Sequence, residues 1–321
     1  MTSNRALAAA LAAVVLVSAC GSDGPDLGQD IRIMVPTAVA GGYDVTARTA
    51  AGVLTDDGTA PGVEVFNLPG AGGATALARL VDEAGNPDLL MMMGLGVVGA
   101  AHEAGTTGVL AEATPIARLV TEPEALVVPA GSPLRSTADL VTALRADPAG
   151  VRVGGGSTLG GPDHLLTVQL AGAVGVAPRS VDYAQFDGGG ELQAALLGGD
   201  LDVGVSGVGE LADLVQDGQL RVLATTGRER LPSVDAPTLL EQGIDLEFTN
   251  WRGLVAPPGL TDTQTAALVG LAQQLHDSPA WQAAVTANGW TDDVATGADF
   301  RTFLTEEDRR VGDVLTAVTP T

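Results

Sequence analysis

The chain predicts an α/β fold of two lobes with a ligand cleft between them, the second lobe inserted into the first. Three features carry that expectation. Short apolar runs suited to buried strands alternate with alanine-rich helical segments, an order that builds parallel sheets through right-handed crossovers. Glycine turns follow the strands, at the carboxyl ends where open α/β sheets collect ligands. The alternation then begins a second time and gives way to helices near the end. Residues 30–125 and 257–321 are therefore expected to form lobe 1, and residues 126–256 the inserted lobe 2.

Residues 1–19 are set apart from the fold. Arg5 supplies a positive start, "ALAAALAAVVLV" (6–17) is an apolar core too short to span a bilayer, and "VSAC" ends at Cys20. This resembles the lipobox of bacterial lipoproteins, in which the cysteine is acylated and becomes the new N-terminus. Residues 20–29 then read as a lipidated Cys20 and a flexible tether.

Lobe 1 opens with a strand at "IRIMVP" (31–36), a helix at "DVTARTAAGVL" (44–54) and a strand at "VEVFN" (63–67). A helix at "ATALARLVDEA" (74–84) and a strand at "DLLMMMG" (88–94) complete a βαβαβ unit. "ALVVPAGSPL" (125–134) is a strand leaving this unit. In "STADLVTAL" (136–144), Ser136 stands three residues before Asp139, the spacing of a capping box. Strands at "VRVGGG" (151–156), "SVDYAQF" (180–186), "LDVGVSG" (201–207) and "LRVLATTG" (220–227) follow. Between them lie helices at "PDHLLTVQLAGAVG" (162–175), with Pro in its first turn, and "ELQAALLGG" (191–199). After "WRGLVAPPG" (251–259), helical segments at 261–276, 279–288 and 298–317 finish the chain.

All 16 basic residues are arginine, against 39 acidic ones, for a net charge of −23. That balance argues against nucleic acid as a partner and offers no basic face to anionic lipid. An anion site here has to be local and built from fixed dipoles. The turn at Gly41 and Gly42 fits this demand, because backbone N–H groups without a Cβ precede a helix N-terminus. Asp44 reads as the cap of that helix.

Gly72 and Gly73 follow the second strand, but Thr75 occupies the third glycine position of a dinucleotide fingerprint, so no such cofactor is expected. In the second lobe, Ser157, Thr158 and Gly160 precede a helix start, where the hydroxyls serve either as ligand donors or as routine caps. His164, on that helix's first turn, reads as a packed structural residue. Tyr183 and Ser206 stand near two further glycine turns. Neither Ser157 nor Ser206 lies in GxSxG, and His102, His164 and His276 form no HExxH. No catalytic residue and no metal site are assigned.

In order and spacing the motifs resemble the substrate-binding proteins of tripartite tricarboxylate transporters, the Bug-type receptors. The resemblance rests on Val35-Pro36, Gly41-Gly42-x-Asp44, Ala47-Arg48, Asn67 with Pro69 to Gly73, and Gly156 to His164. It continues through Tyr183 with Gly188 to Gly190, Gly198 to Asp202, Leu223 to Thr225 and Trp251 to Pro257. Two departures stand out: "TAVAGG" lacks a second proline, and Ser206 replaces an acid common in the family.

The resemblance implies a type II periplasmic-binding-protein fold closing on a small di- or tricarboxylate, held by backbone amides and bridging waters and passed to a membrane permease. The implied protein is not an enzyme and needs no cofactor. It would be a monomer on the extracytoplasmic face, touching the membrane only through its lipid anchor. Gly41, Gly42, Tyr43, Gly72 and Gly73 are expected to face Ser157, Thr158, Gly160, Tyr183 and Ser206 across the ligand. A ligand-sensing receptor for a two-component system would use the same cleft, and a serine hydrolase using Ser157 or Ser206 is the remaining alternative.

Overall fold

The computed structural model describes residues 31–316 apart from residues 40 and 187, so the expected signal peptide, Cys20 and tether lie outside the described residues. The chain begins with β1 (Ile31–Val35), α1 (Gly42–Asp56), β2 (Val63–Asn67), α2 (Ala74–Asp82) and β3 (Leu89–Gly94). Two helices, α3 (Leu95–Glu103) and α4 (Thr107–Glu112), lead to the long strand β4 (Thr114–Pro129). Next come α5 (Thr137–Ala146), β5 (Arg152–Gly155), α6 (Pro162–Ala173), β6 (Asp182–Gln185) and α7 (Gly189–Gly198). They are followed by β7 (Val203–Gly207), α8 (Val208–Gln216) and β8 (Leu220–Thr225). The last elements are β9 (Thr249–Ala256), α9 (Asp262–Asp277), α10 (Pro279–Ala287), β10 (Thr291–Thr296) and α11 (Gly297–Thr316).

Each half has a parallel nucleus, as the alternation of elements implies. β1 lies between β2 and β3, and β5 lies between β6 and β7, all in parallel register. β3 is buried along its whole length, as a strand covered on both faces by helices must be. The complete sheet is mixed, because β9 runs antiparallel to both β3 and β4.

β4 belongs to both halves. From Thr114 to Pro123 it pairs with β9, and over Ala117–Thr121 also with β10. From Glu124 onward it pairs with β7, and from Ala125 with β8. One strand thus carries the chain from the first sheet into the second, and the segment ahead of β9 brings it back.

Local signals account for many of the boundaries. The capping box at α5 is formed: Ser136 Oγ accepts from the Asp139 N–H at 3.2 Å, and the Asp139 carboxylate accepts from the Ser136 N–H at 3.0 Å. α6 begins at Pro162. Asp44, however, does not cap α1. The helix starts at Gly42, and the Asp44 carboxylate instead takes 3.0 Å bonds from Arg48 Nε and one of 2.9 Å from Asn67 Nδ2. Asn67 also donates to the Thr37 carbonyl, which ties the first glycine turn to β2. The C-terminal part is not wholly helical, since β10 forms an outer strand on β4. Among the described residues, no helix is long and apolar enough to cross a membrane.

Candidate functional site

The glycine turns at the carboxyl ends of the strands gather where the two halves meet. On one flank the halves touch backbone to backbone. A Cβ on Gly99 of α3 would fall inside the Gly160 carbonyl, so neither partner tolerates a side chain there. Gly160 itself has φ of +80°, a left-handed conformation that glycine adopts freely. Nearby, the run Gly70 to Gly73 has positive φ throughout, including Ala71 at +47°. The resulting turn lays Gly72 against Ala100 with Thr158 beyond it, and Gly73 against Val97 and Pro36.

Several of the expected ligand contacts have protein partners here. The Tyr43 hydroxyl accepts from the Gly96 N–H at 3.1 Å, occupying the N-terminus of α3. Burial pushes its pKa up to about 12, against the pull of Arg252 and of the Gly96 and Val97 amides. Ser157 Oγ accepts from the Asp163 N–H at 3.1 Å, a capping role, and the Ser157 carbonyl accepts from the Tyr183 hydroxyl at 3.2 Å. The Tyr183 ring packs 5.0 Å from that of His164. His164 Nδ1 accepts from the Gly160 N–H at 3.1 Å, and burial lowers its pKa. Ser206 Oγ donates to Glu210 Oε2 at 3.0 Å. Gly41 is the N-cap of α1, beside Thr37.

The other flank is charged. Arg252 on β9 is 4% exposed and Glu122 on β4 is 3% exposed, and Arg252 Nη2 lies 2.5 Å from Glu122 Oε2. Glu122 Oε1 also accepts from the Gly209 N–H at 3.1 Å. The guanidinium reaches this place because Gly42 has no side chain: a Cβ there would stand 2.5 Å from Arg252 Nη2. Trp290 lies beneath, its ring centroid 5.8 Å from Arg252 Cζ. Arg252 Nη1 is buried and has no hydrogen-bond partner among the described residues.

Three more carboxyls converge on the same region. Glu124 is 0% exposed, and neither of its oxygens has a partner at hydrogen-bond geometry. Its pKa is raised well above the usual range, first by burial and then by the neighbouring Asp163. Asp163 is pushed up to about 7, mainly by burial, so both carboxyls take up protons more readily than exposed ones. Glu210 is exposed to solvent at the cavity, yet protein surrounds it on most sides. Burial and then Glu122 raise its pKa, while Arg252 and Ser206 hold it back.

A cavity of about 420 Å³ opens at this charged flank. Gly42, Glu122, Gly209, Glu210 and Arg252 are among its lining residues, with Leu211, Val215, Val222, Val234 and Trp290 forming apolar walls. Of the residues chosen from sequence, Gly42 lines it directly and Ser206 reaches it through Glu210. No group of three or more potential metal ligands occurs among the described residues.

The match to known proteins agrees with this architecture. Residues 47–319 fit the model of the tripartite tricarboxylate transporter family receptor, TctC. The chain belongs to this receptor family. A curated relative from Cupriavidus necator, the UPF0065 protein in the gbd 5' region, is 30% identical over 260 residues, covering 77% of this chain and 72% of that one.

Among solved structures, MatC from Rhodopseudomonas palustris with bound malate is 22% identical, with a TM-score of 0.74 over 89% of this receptor and 98% of that chain. A second R. palustris protein, with adipate, is 20% identical, with a TM-score of 0.79 over 90% and 97%. The periplasmic binding protein BugD gives 20% and 0.78 over the same 90% and 97%. The receptor therefore has the periplasmic-binding-protein fold of the TctC and Bug type, in a family of solute-binding receptors.

The sequence reading passed over the charged residues of this receptor's cleft. Arg252 had a visible signal, a lone cation inside the apolar run "WRGLVAP". Glu122 and Glu124 had another, two acids on alternate positions in "RLVTEPEALVV". A charge in a buried strand needs a partner, and that need is a pointer to a site.

Proposed function

We propose that this receptor is anchored by a lipid on Cys20 at the extracytoplasmic face, binds a small di- or tricarboxylate between its lobes as a monomer, and delivers it to the membrane subunits of a tripartite permease. The family supports the receptor role, and the malate- and adipate-bound relatives support the class of solute. The observation that carries the carboxylate reading is the cavity between the halves, which the Arg252 guanidinium lines beside Gly42 at the start of α1. A guanidinium and a helix N-terminus converging on one space suit a carboxylate.

In this proposal the change of lobe falls at Pro123–Glu124 and just ahead of Thr249, following the pairing of β4 and β9. Gly41, Gly42 and Ser206 face the solute. Gly72, Gly73, Thr158 and Gly160 form the surfaces that meet on closure, with Tyr43, Ser157 and Tyr183 holding those turns in shape. Solute contacts made to both lobes at once shift the population toward the closed state.

A thermal-shift panel of malate, adipate and citrate against a neutral sugar tests the reading. A bound acid at a hundredfold over its Kd should stabilise the protein by about 2.7 kcal/mol. Melting shifts with the sugar and none with any acid would refute it.

A further inference from the structure

We infer that Asn67 is a positioning residue for solute binding: its side-chain amide holds the turn between β1 and α1 in the shape that presents Gly41 and Gly42. This rests on the reading above, in which those two glycines face the solute.

Asn67 ends β2, in register with Val35 at the end of β1, and the run Gly70 to Gly73 follows it closely. It therefore stands between the two glycine turns of the first half. Both hydrogens of its amide are used: Nδ2 donates to the Thr37 carbonyl at 3.0 Å and to Asp44 Oδ1 at 2.9 Å. Its Oδ1 accepts from Arg48 Nη2 at 3.0 Å. These partners fix which way round the amide lies, since a carbonyl and a carboxylate require donors and a guanidinium requires an acceptor. Arg48 Nε in turn bonds both oxygens of Asp44 at 3.0 Å, which closes the bracket. One side chain thus joins the turn backbone at Thr37 to the start of α1 at Asp44 and Arg48.

Packing does little to hold this turn. Ala38 is exposed, Val39 is 66% exposed, and Gly41 has no side chain to anchor. Gly42 lines the cavity immediately beyond the braced stretch. A loose turn would have to be ordered each time a solute binds, and fixing the backbone of a single residue at that moment lowers affinity about tenfold. The position calls for an amide in particular, because it asks for two donors and an acceptor on one flat group. An aspartate there offers acceptors alone.

Calorimetric titration with malate, adipate and citrate, beside melting of the solute-free protein, tests this. Asn67→Ala should weaken binding of whichever of these acids the parent takes by about tenfold or more. The decisive variant exchanges the two groups, Asp44→Asn with Asn67→Asp. It keeps the net charge, an amide beside a carboxylate and an acceptor for Arg48, yet position 67 has no donor for the Thr37 carbonyl. We expect it to melt close to the parent and to bind as weakly as Asn67→Ala. Affinity like the parent's in either variant overturns the inference, and so does an exchange variant whose loss of affinity only tracks a loss of melting temperature. If the parent binds none of the three acids, the solute reading fails, and amide relaxation of Thr37, Ala38 and Val39 judges the brace by itself. Order parameters that fall below about 0.6 in both variants support it, and values like the parent's overturn it.

Discussion

The two flanks of the contact between the halves reach complementarity by opposite means. At Gly99 and Gly160, backbone meets backbone and the fit depends on missing side chains. At Glu122 and Arg252, long charged side chains fill the gap and leave a cavity. The first arrangement is dry and fixes how near the halves can come. The second is ionic and lines the cavity between them. The lesson is that one contact can combine a surface with no room for side chains and a surface that depends on them.

The largest expected effect comes from breaking the ionic flank. Arg252→Met leaves the Glu122 carboxylate buried without its cation and should cost about 3–5 kcal/mol in denaturant unfolding. Adding Glu122→Gln should restore much of that stability, because the uncompensated charge is gone. If the single variant were as stable as the parent, the pair would have no role in holding this flank.

On the dry flank, Gly99→Ala puts a methyl group where the Gly160 carbonyl stands. We expect solute affinity to fall about a hundredfold, or roughly 2.7 kcal/mol. Solute-free stability should fall as well, since the clash with the Gly160 backbone exceeds the roughly 1 kcal/mol by which alanine favours a helix over glycine. Titration together with small-angle scattering would show weaker binding and a less compact complex. Undiminished affinity would mean that the halves bind solute without meeting here.

The smallest effect concerns pH. Asp163 has a folded pKa of about 7 against an ordinary 3.8, so its stabilising share is complete below about pH 4 and is lost as pH climbs through 7. Asp163→Asn should therefore lose less melting temperature than the parent between pH 5 and pH 8. Glu124 keeps some slope in the variant, because its own pKa is also raised by burial. Parallel curves for the two proteins would place the titration elsewhere.

Most of the framework was legible in the sequence because parallel strands covered on both faces read as unbroken apolar runs, of which "DLLMMMG" is the clearest. β4 was legible only in its second half. Pro115, Glu122 and Pro123 interrupt the strand pattern of the first half, and the pairing with β9 that secures it is more than a hundred residues distant. β10 was missed because "TDDVAT" is a polar outer strand with nothing local to mark it. The glycine turns could be found from their composition. The charged floor could not be assembled in the same way, since Glu122, Asp163, Glu210 and Arg252 come from four separate elements. Asp44 shows the converse case: a residue with the right chemistry for a cap that tertiary partners, Arg48 and Asn67, claim instead.

Continuity of β4 constrains how the molecule moves. Because β4 runs through both sheets, sliding the halves past each other would break its ladders, whereas a rotation at the change of partners would spare most of them. Pro123 stands at that joint and, lacking an N–H, contributes no donor to either ladder. Glu122 and Glu124 flank it, which sets buried carboxyls on both sides of the joint between the two sheets.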